Sequence, residues 1–134
     1  MITTATLKRL AEERLEDAKS LVEAGRYDTA FYMAGYVIEI SLKMRICLTL
    51  NWNGFPETNN EFQNYRSFRI HDLGILLTLT GMEDHILSTY YRQWSSISSW
   101  EPNTRYEVTL ARGKAETEKT IKDVEELMEV LCKK

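Results

Sequence analysis

DTAFYMAGYVIEISLKMRICLTL, residues 28–50, decides the fold. Ala30, Ala34, Val37, Ile38, Ser41, Met44, Arg45 and Leu48 recur at three- and four-residue steps and trace one helical stripe. Phe31, Tyr32, Gly35, Tyr36, Ile40, Leu42 and Ile46 widen it around the cylinder. A helix apolar on nearly every side has to lie at the centre of other helices, because no face of it prefers water. The small residues Ala30, Ala34 and Gly35 let a neighbour approach closely.

Working outward, a second periodic segment precedes it from about Thr4 to Ala24. Leu7, Leu10, Ala11, Leu15, Ala18, Leu21 and Val22 form its apolar face, and Lys8, Arg9, Glu12, Glu13, Glu16, Lys19 and Glu23 the solvated one. Gly25 stops it, and Asp28 follows as an N-cap candidate, so the connection allows only an antiparallel hairpin. After residue 50 the pattern collapses into a loop of about fifteen residues, Asn51 to Arg66, carrying Trp52, Phe55, Phe62 and Tyr65 as expected anchors. Helical spacing returns at about Ile70–Leu79. It restarts after Glu83 or Asp84 through Ile86, Leu87, Tyr90, Tyr91, Trp94 and Ile97. It returns last from about Leu110 to Leu131, with Thr117, Ile121, Val124, Met128 and Leu131 as its stripe. No strand alternation is visible. These elements predict a single all-α domain over residues 1–134, an antiparallel up-and-down bundle of four to five helices.

The 134 residues are 43% hydrophobic and 28% charged, with a formal net charge of −3. That balance argues against a protein that coats nucleic acid or anionic membrane, since both tasks need an excess of Lys and Arg. No apolar run approaches the ~18 residues of a membrane span, and no leader pattern stands at the N-terminus. Cys47 and Cys132 have no metal-ligand or C-x-x-C spacing, which points to a reduced, cytoplasmic protein.

Among the polar residues, Glu39 lies between Ile38 and Ile40 in the most apolar helix, so it must be exposed or paired. Two readings stand side by side: an i, i+4 pair with Lys43, or a buried carboxylate holding a distant base, His71 or Arg105. The His71-Asp72 pair lacks the further histidines that a metal centre would use, and Asp72 suits the first turn of a helix. No metal site and no cofactor is expected. Phosphate-cradling glycine loops and nucleophile motifs are missing as well.

Three stretches then resemble the HEPN family of helical bundles. The first is Ala11-Glu12-Glu13-Arg14-Leu15-Glu16-Asp17-Ala18-Lys19, continuing through Ala24-Gly25-Arg26-Tyr27-Asp28-Thr29-Ala30 to Glu39 and Leu42-Lys43. The second is Phe68-Arg69-Ile70-His71-Asp72-Leu73. The third is Trp94 to Trp100-Glu101-Pro102-Asn103-Thr104-Arg105-Tyr106 before a long helix. The resemblance implies a small prokaryotic module that forms a homodimer and works with a minimal nucleotidyltransferase, as in toxin–antitoxin or defence pairs. It also implies a nucleotide or RNA as ligand. Glu39, His71, Asp72, Arg105, Tyr106 and Tyr36 are the positions it picks out for a ligand or partner pocket, with Tyr32, Trp94 and Trp100 as further walls. Some members are metal-independent endoribonucleases with an Arg-x(4–6)-His motif, and Arg66 and His71 have that spacing. In those members the motif lies later, at the entry to the last helix, where this chain has Trp100 to Tyr106 and no histidine. His71 instead matches the His-Asp-Leu element of a branch without nuclease activity.

Overall fold

Helical periodicity in the first half of the chain becomes two long antiparallel helices, α1 (Thr4–Glu23) and α2 (Tyr27–Leu50). The computed structural model describes residues 1–63, 65, 70–103 and 112–133. Thr3 caps α1, its hydroxyl accepting the Thr6 amide at 3.2 Å. Gly25 reverses the chain at φ +76°, a left-handed conformation that costs glycine nothing. The Gly25 and Arg26 amides then close back onto the Val22 and Leu21 carbonyls. Here the structure corrects the expected cap: Arg26 is the N-cap residue of α2, and Asp28 lies inside its first turn. A carboxylate one residue inside the helix still meets the positive end of the dipole.

As its composition requires, α2 is the central element. Twelve of its residues, from Ala30 to Cys47, are buried, and it packs against α1, α4 and α7. Ala11 and Ala18 of α1, and Ala30 and Ala34 of α2, are wholly inaccessible, so the small residues do bring the helices close. Asn51 ends α2 in the left-handed conformation (φ 56°).

The sequence reading missed one feature here. Ile2–Thr3 (β1) and Gly54–Phe55 (β2) pair antiparallel, in the register Ile2 with Phe55 and Thr3 with Gly54. Two-residue strands are too short to show any alternation. Gly54 is needed at this contact, because a Cβ there would come within 2.5 Å of the Ile2 carbonyl oxygen. The short helix α3 (Asn59–Phe62) follows. Phe55 and Phe62 are buried in the core and Trp52 packs against it, as expected, whereas the fourth expected anchor, Tyr65, is exposed and packs edge-on against Trp52.

Beyond it come α4 (Leu73–Leu79), α5 (Glu83–Thr89), α6 (Tyr91–Ile97) and α7 (Lys114–Leu131). The segment read as one helix through Ile86 and Ile97 is two, divided at Tyr90, whose ψ of 28° leaves the helical range. The last helix starts at Lys114 rather than near Leu110, because Gly113 is extended. Its buried face holds Thr117, Ile121, Val124 and Leu131, as its stripe predicts, together with Thr120, Asp123 and Leu127. Side-chain hydrogen bonds tie it to its neighbours: Lys19 of α1 to Glu125 at 2.8 Å, and Gln93 of α6 to Glu126 at 2.8 Å.

The segment after α6 is fastened by Trp100, which is 3% exposed. Its indole lies flat on Gly35, and its ring N–H donates to the Tyr32 carbonyl at 3.1 Å. A Cβ on residue 35 would overlap the Trp100 indole. Gly35→Ala therefore forces Trp100 out of place, and we expect a loss of about 2–3 kcal/mol in urea denaturation. Cys47 and Cys132 are free and buried. Burial pushes the Cys47 thiol up to about 11 and raises Cys132 as well, so the reactive thiolate is scarce near neutrality. Both should resist a disulfide reagent at pH 8 in the folded protein and react promptly in guanidinium; rapid native labelling would contradict this packing.

Candidate functional site

Glu39 is 4% exposed, with its carboxylate inside the bundle. A charge so placed is strongly disfavoured without partners. Among the described residues it has two, one for each oxygen. Lys43, one turn along α2, places Nζ 3.1 Å from Oε2, and His71 places Nδ1 3.2 Å from Oε1. The two readings of Glu39 left open by the sequence therefore hold together: it makes the i, i+4 pair and also holds a distant base. Lys43 is itself mostly covered, with its ammonium 5.4 Å from the centre of the Phe55 ring. The β2 connection thus roofs the ion pair.

His71 arrives from the other direction. Asp72 is the N-cap of α4, one residue ahead of the first-turn place expected for it, and its Oδ1 accepts the Ile75 amide at 2.9 Å. That cap fixes the backbone immediately after His71. The imidazole is 61% exposed although its Nδ1 is committed to a buried group. An ionised carboxylate can only accept, so Nδ1 must donate, and in the neutral ring Nε2 keeps a lone pair. A carboxylate-oriented imidazole with one free nitrogen can bind a phosphate when protonated, or take a proton when neutral.

Tyr36 stands one turn before Lys43's neighbour Ile40, on the aromatic side of α2. Its hydroxyl shares a 2.9 Å hydrogen bond with that of Tyr32, and both rings pack against Trp100 at centroid distances of 5.2 and 6.3 Å. Trp94 is buried in the core. The structure thus brings Glu39, Lys43, His71 and Asp72 together at the junction of α2 and α4, and gathers Tyr32, Tyr36 and Trp100 around Gly35. Arg66, Arg105 and Tyr106 lie outside the described residues. Among those described, no three His, Cys, Asp or Glu side chains are grouped so as to hold a metal ion, and no helix is long and apolar enough to cross a membrane.

One buried carboxylate escaped the sequence reading. Asp123 is 1% exposed and accepts from Arg92 at 2.9 Å and from the Ser96 hydroxyl. The signal was there, three residues after Thr120 and four before Leu127, on the flank of the apolar stripe. It was masked by the run of carboxylates around it.

Residues 4–59 match the family described as HEPN domain. Over that stretch the chain is similar to HEPN domains. The match takes in α1, α2 and β2, and with them Tyr36, Glu39 and Lys43; His71 and the helices from α4 onward lie beyond it. No curated protein and no solved structure gives a significant match.

The geometry sets the cost of removing Glu39. Lys43 and His71 can both turn to water once it is gone, so Glu39→Ala should lose about 1–3 kcal/mol, less than for a carboxylate whose partner is trapped. His71→Ala should lose well under half of that, because its ring is already largely solvated. Chemical denaturation of the two variants checks the order, and a larger loss from His71→Ala would contradict it.

Proposed function

We propose that this chain is a HEPN-type homodimeric accessory module that binds a nucleotide or RNA and acts with a nucleotidyltransferase-type partner, in a toxin–antitoxin or defence setting. The observation that carries the reading is the His71 imidazole, presented at the surface by a buried carboxylate instead of being enclosed in a cleft. Both Glu39 oxygens are occupied, so the carboxylate serves as a support, and the exposed ring is the part offered to another molecule. Tyr36, Asp72, Arg105 and Tyr106 belong to the same proposed surface. The match to the HEPN domain family supports a nucleotide-binding or ribonuclease-type role. The expected cytoplasmic location is part of this proposal.

A second reading has its own observation. The Glu39–His71 contact leaves Nε2 free as a proton acceptor, which is what a metal-independent endoribonuclease needs from a histidine, with Arg66 as its phosphate-binding partner.

One experiment separates the two. Light scattering on the purified protein should give twice the mass of one chain. That dimer should leave total and structured RNA intact in EDTA, whether wild type or His71→Ala. A nucleotide or short RNA should raise the melting temperature of the wild type by mass action. Cleavage by the wild type that disappears in His71→Ala would replace the accessory module with the nuclease.

A further inference from the structure

A second polar site lies away from His71, in the groove between α6 and the start of α7. It encloses about 570 Å3 and is lined, among the described residues, by Arg92, Arg112, Lys119, Ser95 and Ser99, with Glu116 as its one carboxylate. In a chain of net charge −3, three cations in one groove are a local reversal of sign.

Two of the cations are held from behind. Arg92 is anchored by the buried Asp123 at 2.9 Å. Arg112 lies with its guanidinium 3.3 Å from the centre of the Phe31 ring, a stacked cation–π contact that fixes its plane. Its nearest carboxylate, Glu116, is 3.5 Å from one terminal nitrogen. The Arg112 Nε–H is buried and has no acceptor among the described residues. A buried donor left without an acceptor is uncommon in folded proteins, and an acceptor bound from outside the chain is one reason for it. Lys119 is exposed and makes no ion pair with any described residue.

We infer that this groove binds a compact, doubly charged oxyanion: a phosphate monoester of a small molecule. Guanidinium groups match the oxygens of a phosphate two at a time, and the Ser99 hydroxyl and an ammonium complete the donor set; the Ser95 hydroxyl donates to the Tyr91 carbonyl. Asp123 and Glu116 offset two of the three cationic charges, so what remains is a set of oriented donors more than a strong field. Such a site favours a small ligand with several oxygens over a long polyanion, which needs a continuous basic track. The inference is independent of the His71 surface, which is built on α2 and α4.

The test follows the Arg112 side-chain Nε–H resonance by NMR while inorganic phosphate, phenyl phosphate or dimethyl phosphate is added at constant ionic strength. Phosphate and phenyl phosphate should give saturable shifts at Arg112 and at the Ser95 and Ser99 amides. Dimethyl phosphate, with one charge and two blocked oxygens, should bind at least about fivefold more weakly. Lys119→Gln, which breaks no hydrogen bond or ion pair among the described residues, should weaken phosphate about three- to fivefold. Shifts no larger than those of sodium chloride at the same ionic strength would overturn the inference. Phosphate binding unchanged by Lys119→Gln would remove it from this groove. Diester binding equal to or tighter than monoester binding would overturn the ligand class.

Discussion

A helix that buries nearly its whole circumference constrains everything packed around it. In α2 the constraint falls on Glu39, because the helix has no solvated side on which a carboxylate could rest. The charge is accommodated by one lysine from its own helix and one histidine from thirty-two residues away in the chain. These contacts link the α1–α2 hairpin to the second half of the molecule at a defined point, with the β2 connection closing over the lysine. The cap at Asp72 completes the arrangement by fixing where α4 begins.

One turn before Glu39, the packing of α2 is organised by the absence of a side chain. Gly35 leaves a flat patch of backbone, and Trp100 occupies it, donating its ring N–H to a helical carbonyl. Arg112 covers Phe31 on the same helix. Both ends of the connection between α6 and α7 are thereby fastened to α2, and α7 is held further by hydrogen bonds from α1 and α6. The two polar sites of the molecule are consequences of these fastenings. His71 is exposed because only its Nδ1 is needed inside, and the α6–α7 groove is cationic because its arginines are oriented by a buried aspartate and a buried ring.

Legibility from the sequence followed the strength of the periodic signal. The hairpin of α1 and α2 and the buried face of α7 could be read because each repeats an apolar pattern over several turns. The split at Tyr90 and the start of α7 at Gly113 could not, since both depend on single backbone torsions. The two-residue strands carry no pattern at all. In the site, Glu39 was conspicuous as a charge in apolar surroundings, whereas Asp123 was hidden among neighbouring acids that are exposed, as Glu129 is, or half-buried, as Glu125 and Glu126 are.

By itself the sequence determined the helical class, the central place of α2 and the need for Glu39 to find a partner, because hydrophobic periodicity and the cost of burying a charge act locally along the chain. The tertiary structure alone decided that Lys43 and His71 share that carboxylate, that Gly35 receives Trp100, and that Asp123 orients Arg92. Those outcomes depend on which faces meet across long stretches of chain. Several residues of suitable chemistry competed for each place, and only packing in three dimensions selects among them.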